Sequence, residues 1–299
     1  MSRTTTVASQ GSAPRHLLDR PAVLQQGQLP FAVSSALAVA AMAASALTLF
    51  MPGLLSGAEV GKGNLRGTAV VVLAVGVPLL VAGMLRTAGN SARWLVAWLG
   101  AAAYLTYQAV LFCFATPLNS LFLVYVTYLG FGIWALITLM RAVDLAGFAA
   151  RVGDRFPARF VGGMLIAFSG LNAAAWLVRI VPTIGDADPS AVMAGSGLIT
   201  SPVWVQDLAF WMPLALISGV WCWRRRPYGV LIAGSLLTFY VVECLGIASD
   251  QWWGVRADDS WPQWASMTAV PMFVALAVVT AVPLVWFYRS LDRQPGRPG

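Results

Sequence analysis

Three ionisable side chains stand inside long apolar runs of this sequence: Arg179, Asp207 and Glu243. A charge within a bilayer is costly and usually faces the protein interior, so each of these residues marks a site. Measured from the nearer end of each run at about 1.5 Å per residue, Arg179 lies about 3 Å deep, Asp207 about 6 Å and Glu243 about 9 Å. The same slab holds Tyr107 and Gln108 in another run, Tyr125 in a third, and Tyr240 three positions before Glu243. Helical spacing puts Ser169, Asn172, Trp176 and Arg179 on one stripe, and Tyr104, Tyr107, Gln108 and Leu111 on another. Arg179 and Asp207 flank one loop, and their expected arrangement is an ion pair stapling two spans. Glu243 has no cation of its own, so it either shares Arg179 or keeps its proton. In the second case it is a proton-coupling group or a packing hydrogen bond to Tyr107 or Gln108, and both readings stay open.

These residues need apolar elements to position them. Of 299 residues, 59% are hydrophobic and 10% charged, and the mean hydropathy of +0.73 excludes a water-soluble fold. Eight apolar runs of 19 to 25 residues cover 31–51, 67–85, 94–114, 121–140, 160–181, 203–223, 228–249 and 264–288. Each is long enough for a helix to cross about 30 Å of hydrocarbon. The fold expected is an all-α membrane bundle of eight transmembrane helices over 31–289, flanked by a disordered cytoplasmic tail over 1–30 and a second cytoplasmic tail over 290–299. Alternate loops hold fifteen arginines against Lys62, Arg66 and Arg256, which places both termini in the cytoplasm. The basic balance is thus a topological signal, and no nucleic-acid partner is expected.

Composition also narrows the chemistry. One histidine, His16, and three cysteines, Cys113, Cys222 and Cys244, are too few for haem, copper, zinc or iron–sulfur centres, so no cofactor and no metal is expected. The single lysine, Lys62, lies in a polar segment and cannot form a retinal Schiff base inside a bundle. No Ser/His/Asp set, HExxH or phosphate-binding glycine loop occurs, so nothing argues for an enzyme.

Segments outside the runs add detail. The 182–202 loop carries Asp186 and Asp188 and is long enough to act as a lid, and Trp252, Trp253, Trp261 and Trp264 suggest an interfacial aromatic belt. The 141–159 segment reads as a short amphipathic helix on the inner leaflet. Pro78, Pro213, Pro271 and Pro283 should interrupt the second, sixth and eighth spans. The third and seventh runs echo each other, with Arg93, Gly100, Tyr107 and Gln108 in one and Arg226, Gly234, Tyr240 and Glu243 in the other. That echo points to a parallel four-plus-four duplication.

The segment Pro117, Asn119, Leu121, Phe122, Leu123, Tyr125, Val126, together with Asp207 and the run Arg224, Arg225, Arg226, Pro227, resembles a group of bacterial polytopic membrane proteins with about eight spans. The resemblance implies the cytoplasmic membrane of a bacterium and emphasises Asn119, Tyr125 and Asp207, but carries no activity. The reading that follows is a permease for a small solute or lipid, coupled to protons. Arg179, Asp207, Glu243, Gln108, Tyr107, Asn119, Tyr125, Asn172 and Tyr240 would form its outward-facing site, with membrane lipids and a small molecule from outside as partners. The alternatives are a membrane assembly or sensory protein, and an intramembrane enzyme acting on a lipid-linked substrate.

Overall fold

The computed structural model describes residues 22–25, 27–51, 53–153 and 156–292. Arg3, Arg15, His16, Arg20, Arg155, Arg293 and Arg297, and most of both tails, lie outside them. Among the described residues eight helices are long and apolar enough to cross a membrane, as a multi-pass membrane protein requires. They are α1 (Leu29–Phe50), α2 (Glu59–Thr87), α3 (Ala92–Phe114), α4 (Phe122–Ala142), α5 (Ala158–Gly185, its last turn 3₁₀), α6 (Pro202–Trp223), α7 (Pro227–Ala257) and α8 (Ala269–Ser290). Ala22 and Asp292 lie at the same end of the bundle, here called the near end.

Burial sorts the helices. In its most apolar stretch α3 is 89% buried, walled in by α2, α4 and α7, while the corresponding stretch of α5 is only 11% buried and packs chiefly on α6. Helix α7 runs parallel to α3 and touches α2, α3, α6 and α8, so these two helices form the centre. A central helix can carry polar groups because protein, not lipid, surrounds it.

Two helices exceed their apolar runs. Helix α2 starts at Glu59 rather than 67, and α7 continues to Ala257 rather than 249. The polar extensions lie against each other. A Cβ on Gly67 would strike the backbone of Ser249 and Asp250, and Ser249 Oγ donates to the Gly67 carbonyl at 2.8 Å. Asp250, outside the apolar run, is thereby a helical residue. The far-end loops are tied to this pair, since Asn64 and Gln251 both donate to the Trp264 carbonyl, at 3.1 and 3.2 Å. Trp264 Nε1 in turn donates to the Ala194 carbonyl at 2.7 Å, so this tryptophan binds the 182–201 loop to the bundle.

The proline expectations hold for Pro78 and Pro213, while Pro283 leaves α8 unbroken from Ala269 to Ser290. The first two stand just after five-residue π turns, Val72–Gly76 in α2 and Asp207–Trp211 in α6. Pro271 does not interrupt α8, because it sits in the first turn, where no intrahelical donor is needed.

At the near end the expected surface helix of 141–159 is the five-residue helix Leu145–Ala149, capped by Asp144. Phe148 is fully buried under the bundle, so the apolar side of this helix goes to protein and not to lipid. Arg151 donates to the Asn90 carbonyl at 2.6 Å and pairs with Asp292 at 3.3 Å. Asp292 also accepts from Ser91 Oγ at 3.0 Å and from the first backbone amides of α3. Val23, assigned to the tail, is buried and donates to Asn90 Oδ1 at 2.9 Å.

Candidate functional site

Helices α3, α6 and α7 bring five of the expected residues together toward the far half of the bundle. On α3, Tyr107 and Gln108 are buried at adjacent positions of the most deeply buried span. On α7, Glu243 is 8% exposed and accepts a hydrogen bond from Gln108 Nε2 at 2.5 Å. On α6, Asp207 opens the π turn, is 6% exposed, and accepts from Trp176 Nε1 of α5 at 2.9 Å. The Tyr107 side chain lies near the same carboxylate. Its ring lies 5.9 Å from that of Trp211 and 5.4 Å from that of Phe239, and these two stack on each other at 5.1 Å. All three rings are buried. Tyr240 lies beside both carboxyl groups, its ring edge-on to Phe239.

The π turn has a local cause. Pro213 lacks a backbone N–H, and its ring would crowd the carbonyl four positions earlier, which falls inside the turn at Ala209. Widening the helix there relieves the crowding and rotates Asp207 relative to the rest of α6. Ser169 Oγ donates to the Met212 carbonyl at 2.9 Å, anchoring the joint to α5.

Neither carboxyl group has a cationic partner among the described residues, where the ion pairs are Lys62 with Glu59 and Asp292 with Arg93 and Arg151. The expected pair of Arg179 with Asp207 is therefore corrected. Arg179 is exposed, and its guanidinium stands over the Trp264 ring at 6.0 Å. The physical reason is azimuth. Trp176, three positions before Arg179, occupies the inward direction and takes the carboxylate, and rings of Trp176, Trp204 and Trp264 succeed one another at 6.2 and 6.4 Å toward the far end. A neutral indole donor thus replaces the expected guanidinium.

Three buried polar atoms of this region lack hydrogen-bond partners: Tyr104 Oη, Gln108 Oε1 and Gln206 Nε2. Unpaired buried groups cost about 1–3 kcal/mol each, and their usual resolution is a water or a ligand.

Other expected residues lie elsewhere. Tyr125 shares a 2.9 Å hydrogen bond with Thr48, joining α4 to α1. Asn119 closes the turn before α4, accepting from the Leu121 amide at 2.9 Å and donating to the Pro117 carbonyl. Asn172 stands one turn before Trp176 on α5 and makes no side-chain hydrogen bond among the described residues. Asp250, which sequence reading left outside the spans, is partly buried where α7 meets α2 and accepts from Gln251 Nε2 at 3.1 Å. Its signal was the absence of proline from Gly246 to Ala257.

No protein-family model matches the chain, and neither a curated protein nor a solved structure matches it. The geometry alone therefore carries the functional reading.

Proposed function

We propose that this chain is a proton-coupled permease for a small solute, in which Asp207 and Glu243 carry the protons. One observation carries the reading: two carboxyl groups are buried among α3, α6 and α7, held by the neutral donors Trp176 and Gln108, and neither has a cation. An ionised carboxylate is costly in such surroundings, and two close together are costlier, so proton uptake and release is the cheap way to change their state. Asp207 on a π turn adds mobility, since such turns mark functional positions in helices. Tyr107, Gln108 and Tyr240 would supply hydrogen bonds to the solute, with Tyr104 Oη and Gln108 Oε1 offering unused capacity. The near end would face the cytoplasm, as its arginines direct, and the setting would be a bacterial cytoplasmic membrane.

The test uses proteoliposomes loaded with a pH-sensitive dye, an imposed proton gradient, and a panel of amino acids, sugars and organic cations. Solute-dependent proton entry is expected for the native chain, with at least a tenfold loss in Glu243→Gln and Asp207→Asn. Entry that is unchanged in both variants would refute the assignment.

The bond from Gln108 to Glu243 directly across the central helix pair favours a second reading, an assembly or sensory protein in which the cluster locks α3 to α7. Under that reading Glu243→Gln keeps every function and Glu243→Ala loses stability and function together.

A further inference from the structure

A single separation recurs across the chain. Gln108 and the Glu243 it bonds are 135 positions apart. The same 135 separates the first residues of α3 and α7, Ala92 and Pro227. It also separates the first residues of the two π turns, Val72 and Asp207, and the prolines that follow, Pro78 and Pro213. Contacts inside each half repeat at this offset. A Cβ on Gly76 would meet the Tyr104 ring, and the matching Trp211 stacks on Phe239. The Arg86 guanidinium lies 5.5 Å from the Trp94 ring, and the matching Trp221 lies against Gly229.

Contacts along the α3–α7 seam show the mark of a local two-fold axis, which the flanking helices do not follow, since α2 packs extensively on α7 and α6 only marginally on α3. Where two equivalent parallel helices meet on such an axis, a residue touches its own counterpart. Gly100 packs on Ser235, and Gln108 bonds Glu243, each pair at the common offset. The register differs by two residues from the echo of Tyr107 with Tyr240, so Gln108 is the counterpart of Glu243 and no tyrosine pairing is involved.

From these coincidences we infer that the chain is two copies of one four-helix unit, α1–α4 and α5–α8. They are related by an axis between Gln108 and Glu243, and the π turn with its proline is a matched hinge in α2 and α6. The axis runs along the parallel helices α3 and α7, hence along the membrane normal. Each hinge divides its helix into a near part and a far part. The far part of α6 carries Asp207 at its boundary, so bending there changes the distance between Asp207 and the axial Glu243. The counterpart of Asp207 is the buried Val72, so one unit carries the acid and the other an apolar joint. The inference is independent of the proton-carrier reading, because its measurements use no proton gradient.

The experiment places spin-label pairs on the full chain in nanodiscs, with Cys113, Cys222 and Cys244 replaced. One pair at Glu59 and Val205 reports the far sides of the two hinges, and another at Leu85 and Val220 reports the near sides; Leu85 and Val220 are among the exposed apolar residues. Two distance populations are expected for the far pair and one for the near pair. Deleting Leu73 or Leu208 restores an unbroken helical ladder, and each deletion should collapse the far pair to one population. Pro78→Ala and Pro213→Ala carry the same comparison should a deletion fail to fold. A single far-side population in the native chain, or collapse by the deletion in one helix but not by that in the other, would overturn the matched hinge. The axis has its own test. The double exchange Gln108→Glu with Glu243→Gln should restore the thermal midpoint lost in Gln108→Glu alone, and a double variant no better than the single would remove the axis from that contact.

Discussion

At the residue scale the decisive contact is the indole of Trp176 donating to Asp207, where a guanidinium was expected. Trp176→Phe leaves a buried carboxyl oxygen without its donor and should cost about 1–3 kcal/mol, read as a lower thermal midpoint in detergent. Arg179→Ala removes only an exposed cation stacked on Trp264 and should cost about 0.5–1 kcal/mol at most. A larger loss in Arg179→Ala than in Trp176→Phe would restore the ion-pair account. The sequence shows depth, because each residue adds a fixed rise, and the polar slab of Tyr107, Gln108, Asp207 and Glu243 was legible for that reason. It does not show which of two residues three positions apart turns inward when both share a stripe, and so Arg179 was preferred to Trp176. Tyr125 shares the depth but bonds Thr48 of α1, a difference of direction that spacing within one helix cannot give, and Asn119 closes the turn before α4.

At the scale of elements, all eight helices follow from apolar runs, whereas the ends of α2 and α7 do not. Their polar extensions are helical because they pack on each other, through glycines that let backbones approach, and hydropathy does not register that contact. Two glycine substitutions separate contact from propensity. Gly67→Ala drives a methyl group into the backbone of α7 and should cost about 1–3 kcal/mol or more. Gly130→Ala, on α4 with nothing within 4 Å of the added carbon, should be neutral or stabilise by about 0.5–1 kcal/mol. Scanning fluorimetry on the native tryptophans measures both. A Gly67→Ala protein as stable as the native one would mean that the two extensions do not meet.

For the whole molecule, orientation rests on the arginines of the near end. With the native cysteines replaced, single cysteines at 186 and 259 should react with an impermeant maleimide added to intact cells, and cysteines at 141 and 225 should not; labelling at 225 would invert the assignment. The near end is also where distant parts of the chain are joined, since Asp292 binds Ser91, the α3 amides and Arg151. Asp292→Ala should raise amide exchange across the first turn of α3 and the Leu145–Ala149 helix while leaving the far-end loops unchanged. The burial of α3 has a consequence for how the protein is made. Its Gln108 has as partner a residue synthesised 135 positions later. At about 5–20 residues per second, the ribosome takes roughly ten seconds to bring α7 into being. In a membrane, a helix that is 89% buried in the finished bundle would stand throughout that interval with its polar face toward lipid, and its retention would depend on the insertion machinery holding the half-made bundle together until α7 arrives.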